Sequence, residues 1–185
     1  MSAFYTRRGD DGTTGLLGEG RVPKHDLIME TLGTVDEATA ALGLARAVCS
    51  TAEAPDWILQ IQRHLYGLMA EIAATQENVE RFRSVSGSQV MWLEDLAEVA
   101  GKKAPAPKEF IVPGDTVAGA ALDVARTIVR RAERRLSELA ETGWIKNPDL
   151  LRYLNRLSSF LFALEIYENQ AASGGSPTLA KTGKR

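Results

Sequence analysis

Apolar residues recur along most of this chain at the three-and-four spacing of amphipathic helices, and no segment reads as a convincing strand. Asp26 to Cys49 forms the first such run, with Ala38, Ala41, Leu42, Ala45 and Val48 on one stripe. Pro55 suits the first turn of a second helix, which runs to about Thr75 with Ile58, Ile61, Leu65, Leu68, Met69 and Ile72 facing inward. A third is expected from about Ser86 to Ala100, with Met91, Trp92, Leu96 and Val99 as core candidates. The longest run, Val117 to Glu141, lacks proline and is dominated by Ala, Leu, Arg and Glu. Asp115 or Thr116 can cap it, and Gly143 stands where a helix ends. Its core stripe is Ala118, Ala121, Ala125, Ile128, Ala132, Leu136 and Leu139. Pro148 opens the last helix, with Leu151, Leu154, Leu157, Leu161 and Leu164 inward.

Between these runs the signals change. Gly9, Gly12, Gly15, Gly18 and Gly20 crowd the N-terminal stretch, and residues 101–115 contain three prolines. From about Ala171 apolar content falls, which predicts a disordered tail over 171–185. The expected fold is therefore all-α: a five-helix bundle of ferritin-like, up-and-down architecture. Residues 1–170 form its one domain, with residues 1–25 as a glycine-rich N-terminal loop.

Composition narrows the function classes. A net charge of −2 gives no reason to expect nucleic acid or an anionic membrane as partner, so any arginine cluster is local. No run is apolar enough to span a bilayer, and the N-terminus lacks the apolar core of a signal peptide. The single cysteine, Cys49, excludes an internal disulfide, fits a reducing cytoplasm and sits in an apolar run as a buried, inert thiol. His25 and His64 have no partner at zinc-ligand spacing, so no protein metal site is expected.

Candidate chemistry lies at four places. On the long helix Leu122, Arg126, Arg130, Glu133 and Ser137 share a face beside the apolar stripe. Two guanidiniums and a carboxylate in a row suit a polyphosphate with its metal ion, or a solvated salt-bridge ladder. The N-terminal glycines, flanked by Arg7, Arg8, Arg21 and Lys24, can bring backbone amides against phosphate oxygens. They fit neither a Walker A loop nor a dinucleotide fingerprint, so a flexible arm is an equal reading. Asp36 interrupts the apolar face of the first helix, either as an exposed acid or as partner of an arginine from another helix. Phe110 lies in a short apolar knot, Phe110-Ile111-Val112, as a plug under the loop or as something more.

Taken in order, TRRGDDGTTGLLGEGRVPKHD, GTVDEATAALGLARA, FIVPG, VARTIVRRAERR and RYLNRLSSFLF resemble the PduO-type ATP:cob(I)alamin adenosyltransferases over roughly residues 4–169. The resemblance implies a homotrimer with active sites at subunit interfaces, ATP, Mg²⁺ and a corrinoid as ligands, and transfer of the 5′-deoxyadenosyl group to cobalt with release of triphosphate. It also implies roles: Thr6, Arg7, Gly9, Asp10, Gly12 and Lys24 around the ATP phosphates, with Arg130, Glu133 and Asn155 as further nucleotide contacts. Asp36 matches an acid that pairs across the interface with Arg126, and Phe110 matches the aromatic beneath the corrin ring. A reductase and an adenosylcobalamin-dependent enzyme are the further partners that such an activity implies. Three positions depart from the family pattern: Ser159 stands for an Asp, Asp123 for a His, and Asp115 for the second Gly of PGG. Ser159 and Asp123 favour the alternative, a divergent ATP or corrinoid binder acting as sensor or carrier without turnover.

Overall fold

The computed structural model describes residues 4–181. Five long helices and one single turn follow a small hairpin: β1 (Thr13–Gly15), β2 (Arg21–Pro23), α1 (Leu27–Val48), α2 (Ala54–Ala73), α3 (Val79–Phe82), α4 (Gly87–Lys103), α5 (Val117–Glu141) and α6 (Pro148–Ser173). Local chemistry sets the helix ends. The Asp26 carboxylate accepts the Ile28 amide, Ser86 and Gln89 form a reciprocal capping box, and the Thr116 hydroxyl accepts the Gly119 amide. Gly174 closes α6 at φ 62°, a conformation that glycine adopts without strain.

Packing runs α2 on α1, α1 on α5, α5 on α6 and α6 on α4. Aromatic contacts close the bundle. Trp57 of α2 meets Phe160 edge-on, and His64 lies edge-on between Trp92 of α4 and Tyr153 of α6 while hydrogen-bonding the Tyr153 hydroxyl at 3.0 Å. His64 is thus a half-buried residue held by the bundle's aromatic side chains, and burial lowers its pKa. Glu168 of α6, fully buried, accepts from the backbone amides and hydroxyls of Ser50 and Thr51 and so ties down the α1–α2 connection. Burial works to raise its pKa, but those four bonds outweigh it and the group lies below its ordinary value. The neighbouring Cys49 thiol is pushed up to about 12, first by burial and then by the Glu168 charge, which makes it inert.

Several expectations need correction. The N-terminal stretch contains an antiparallel hairpin in the register Thr13↔Pro23, Thr14↔Val22 and Gly15↔Arg21, where no strand was expected. In α4 the buried residues are Val90, Leu93, Leu96 and Ala100, whereas Met91 and Val99 are exposed; the core face is rotated by about one residue. Leu122, assigned to the polar stripe of α5, is fully buried. The tail is not unstructured from Ala171. Helix α6 continues to Ser173, and residues 178–180 pair with the segment Phe110–Val112. The rest of the expected tail, 182–185, lies outside the described residues, as do residues 1–3 of the N-terminal loop.

Candidate functional site

The N-terminal loop is a built structure. Asp10 donates its amide to the Arg7 carbonyl at 3.4 Å, Gly12 to Gly9 at 3.2 Å, and Lys24 to Gly12 at 2.9 Å. A Cβ on Gly9 would come within 3.0 Å of the Lys24 ammonium, so the lysine folds directly against the glycine backbone. Arg21 stitches the loop together by donating to the Thr13 hydroxyl at 2.8 Å and to the Arg8 carbonyl at 2.6 Å. That leaves Arg21 with a structural task. Arg7 stands at φ 62°, strained for a residue with a Cβ, and its guanidinium covers the Tyr5 ring. Thr6 accepts the Arg8 amide, and Thr6, Asp10 and Lys24 are exposed. The hairpin leans on the end of α2, where Leu17 exchanges backbone hydrogen bonds with Ala73 and Thr75.

A second group forms between α5 and α6. The Asn155 amide donates to Glu133 Oε1 at 2.8 Å, and its oxygen accepts from Arg156, which in turn donates to Glu94 of α4 at 2.7 Å. Arg130, one turn before Glu133, is exposed, and among the described residues no carboxylate pairs with its guanidinium. Of the two readings left open by the sequence, the salt-bridge ladder is not formed: Glu133 is engaged by Asn155, not by the arginines of its own stripe. Ser159 bends its hydroxyl back to the Asn155 carbonyl at 3.4 Å and contributes no charge.

A third group surrounds Phe110. The ring is 88% exposed, so it plugs nothing within this chain. It borders a cleft of about 540 Å³ together with Pro107, Ile111, Asp123, Arg126 and Phe162. Arg126 donates to Asp123 from Nε at 2.8 Å and from Nη2 at 2.7 Å. Asp36, the proposed partner of Arg126, is exposed on α1 and pairs with nothing among the described residues of its own chain. Within the chain no side-chain hydrogen bond or ion pair among the described residues joins these three groups to one another. Another cleft, of about 610 Å³, lies under the hairpin beside Leu16, Val22 and Leu139 and is lined by none of the expected site residues.

One residue at the site went unread. Glu165 of α6 is 1% exposed, and neither carboxylate oxygen has a hydrogen-bond partner. Burial raises its pKa to about 7, the Asp123 and Asp115 charges add to the rise, and Arg126 opposes it. Its position four residues after Leu161, on the inward stripe, was the available signal. The native state binds this proton more tightly than the unfolded chain does. The carboxyl therefore costs stability as pH rises from the ordinary value near 4.5 through about 7. Glu165→Gln should leave stability at pH 4 nearly unchanged and raise it at pH 8 by up to about 3 kcal/mol, the free-energy equivalent of such a shift. Denaturant midpoints at the two pH values test this, and equal effects at both would remove the buried-proton account.

The sequence profile of the cobalamin adenosyltransferases matches residues 4–168. A corrinoid adenosyltransferase of Citrobacter freundii is 38% identical over 169 residues, covering 91% of this chain and 96% of its own. One from Bacillus subtilis (strain 168) is 39% identical over 168 residues, covering 86% and 83%. A longer relative, the corrinoid adenosyltransferase PduO of C. freundii, is 38% identical over 171 residues, and this chain spans 51% of its length. Among solved structures, a phenylalanine-to-alanine variant of the PduO-type ATP:corrinoid adenosyltransferase from Lactobacillus reuteri, complexed with cobalamin and ATP, superposes with a TM-score of 0.86 at 30% identity. That match covers 96% of this chain and 99% of the other. An arginine-to-lysine variant of the same enzyme complexed with ATP gives 0.84 at 29% identity, covering 96% and 100%. On its sequence and its fold alike, the chain belongs to the cobalamin adenosyltransferase family.

Proposed function

We propose that this protein transfers the 5′-deoxyadenosyl group of ATP to the cobalt of a reduced corrinoid. The cobalt(I) lone pair forms the bond to C5′, the C5′–oxygen bond breaks, and its electrons leave on triphosphate. The observation that carries the reading is the solvent-facing Phe110 ring at the rim of the Asp123–Arg126 cleft, an apolar surface that a flat macrocycle would cover. Cobalt(I) is already a strong nucleophile, so the chain needs no general base; its task is alignment and charge stabilisation. Gly9, Gly12 and Lys24 would cradle phosphates with backbone amides and an ammonium group. Thr6, Arg7 and Asp10 would border the same oxygens, and Arg130 would stabilise charge gathering on the leaving group. Asn155, which donates to Glu133, would orient it toward the nucleotide.

Among the described residues no cluster of three His, Cys, Asp or Glu side chains could hold a metal ion. Glu133 keeps one oxygen outside its bond to Asn155. That donor set suits Mg²⁺ carried on the triphosphate with at most one protein carboxylate, where it would neutralise phosphate charge.

The assembly belongs to the same proposal: a trimer of ferritin-like up-and-down bundles, its active sites between subunits in the cytoplasm, supplied by a reductase and serving an adenosylcobalamin-dependent enzyme. Unpaired Asp36 and exposed Leu44, Val117 and Val124 on α1 and α5 support an interface there. Arg126 would then share its guanidinium between Asp123 and the partner subunit's Asp36. Asp36→Ala should shift the wild-type trimer toward smaller species or weaken corrinoid binding in light-scattering and titration measurements; a fully active wild-type monomer would sink the trimer.

The activity itself is read from the absorbance change of chemically reduced cob(I)alamin to adenosylcobalamin with ATP and Mg²⁺. ATP binding without that change would favour the sensor or carrier reading that Ser159 and Asp123 suggest. In this assay Arg130→Ala should lower kcat by at least about tenfold, with helix content unchanged. Wild-type kinetics in that variant would return Arg130 to the solvated surface.

Phe110 has a separate signature. An apolar ring below the corrin displaces the lower ligand of cobalt(II) and offers no donor atom in its place. Phe110→Ala should fail chiefly when the reaction starts from cob(II)alamin, much less from pre-reduced cob(I)alamin, and partly from cobinamide, which lacks the lower base. Equal losses on all three substrates would reduce Phe110 to a packing role.

A further inference from the structure

Phe110 is held from behind by a segment far along the chain. The Ala180 amide donates to the Phe110 carbonyl at 2.8 Å, and the Val112 amide to the Thr178 carbonyl at 2.8 Å, in an antiparallel bridge centred on Ile111 and Leu179. So short a pairing is marginal in water by itself. Nor is it sheltered, because Leu179 and Val112 are both exposed. A second set of contacts fixes it. Pro113 and Gly114 turn the chain directly after the paired residues, with Gly114 at φ 119°, a conformation open essentially to glycine. The turn brings Asp115 back to Thr178. The Asp115 carboxylate accepts the Thr178 amide at 3.0 Å and the Thr178 hydroxyl at 2.6 Å. It does so instead of capping α5, a task that falls to Thr116.

We infer that Asp115 and Thr178 form a latch that fixes the segment Phe110–Val112 and thereby sets the height of the Phe110 ring beneath the substrate. They are positioning residues, since neither borders the Asp123–Arg126 cleft itself. The inference rests on the adenosyl-transfer reading and adds to it a role for the departure at Asp115. Three observations point the same way. The carboxylate uses one oxygen for the hydroxyl and the other for the amide, a two-point grip that resists rotation. Those two bonds, hydroxyl first, lower the Asp115 pKa, which keeps the group ionised at neutral pH. And the backbone bonds reach the Phe110 residue itself, so loosening Thr178 releases the carbonyl next to the ring's own Cα.

The test uses the full chain with Thr178→Val, Thr178→Ser and Asp115→Asn. For each, turnover from cob(II)alamin is divided by turnover from pre-reduced cob(I)alamin, and exchange of the Val112 and Ala180 amides is followed by NMR or mass spectrometry. Thr178→Val should lower the ratio by at least about fivefold, the scale set by losing one charge-assisted hydrogen bond, and should speed exchange at both amides. Thr178→Ser should restore both, and Asp115→Asn should fall between. A ratio unchanged in Thr178→Val overturns the latch, whether or not the amides exchange faster. A ratio lost equally in Thr178→Ser and Thr178→Val also overturns it, because the hydroxyl would then not be the acting group. A wild-type chain that makes no adenosylcobalamin from cob(I)alamin overturns the adenosyl-transfer reading and this role with it, a result distinct from either failure of the latch alone.

Discussion

The structure depends on how closely α5 can approach its neighbours. Ala118, Gly119, Ala121, Ala125 and Ala132 are buried along one face, so α1 and α6 both pack against a surface with little side-chain bulk. Gly119 marks the limit: a Cβ there would lie 2.1 Å from Asn169 Oδ1, because the α6 side chain already fills that space while accepting a hydrogen bond from Thr116. Close approach puts the flanking faces of α5 at the seams of the bundle. Arg130 and Glu133 emerge beside Asn155 of α6, and Arg126 emerges at the cleft that Phe110 borders. The polar row is thus placed by the alanines next to it, through ordinary close packing.

Two acids on α6 show how the same helix serves stability and chemistry differently. Glu168 and Glu165 are both inside, three residues apart. Glu168 meets four donors from Ser50 and Thr51, enough to keep a charge in the interior and to fix a loop. Glu165 meets none, and its surroundings add the charges of Asp123 and Asp115. A buried carboxyl with no hydrogen-bond partner and acids nearby is most stable neutral, which explains why so polar a group is tolerated one layer behind the cleft.

Helix existence and most of the core were legible in the sequence, because the apolar spacing of α1, α2, α5 and α6 is unambiguous: Ala38, Leu42, Ile61, Leu65, Ala125, Leu136, Leu157 and Leu161 are all fully buried. The α4 phase was not, because Met91 and Val99 are as apolar as the residues that face inward and only the packing against α6 chooses between them. The hairpin was hidden by strands of three residues in a glycine-rich stretch, too short to show alternation. The pairing of Thr178–Ala180 with Phe110–Val112 is made by backbone groups, which leave no trace in composition, and the Asp115–Thr178 contact spans 63 positions. Of the site, the arginine stripe was legible as a stripe only. That Glu133 turns to Asn155 and Arg126 to Asp123 depends on which rotamers the neighbouring helices leave open.

In the proposed trimer the charge balance at Arg126 would tie assembly to chemistry. In the single chain one guanidinium faces Asp123 directly and feels Glu165 behind it. The proposed trimer adds the partner subunit's Asp36, so one cation would serve three carboxyl groups. Of these acids Glu165, raised to about 7 chiefly by burial, is the one that takes up a proton most readily. A macrocycle lying on Phe110 would strip water from the cleft and lower the local dielectric. That strengthens the pairing of Arg126 with the ionised acids and further favours the neutral form of Glu165. What the chain itself shows is that burial first, and the Asp123 charge after it, raise the Glu165 carboxyl to about 7, with Arg126 opposing.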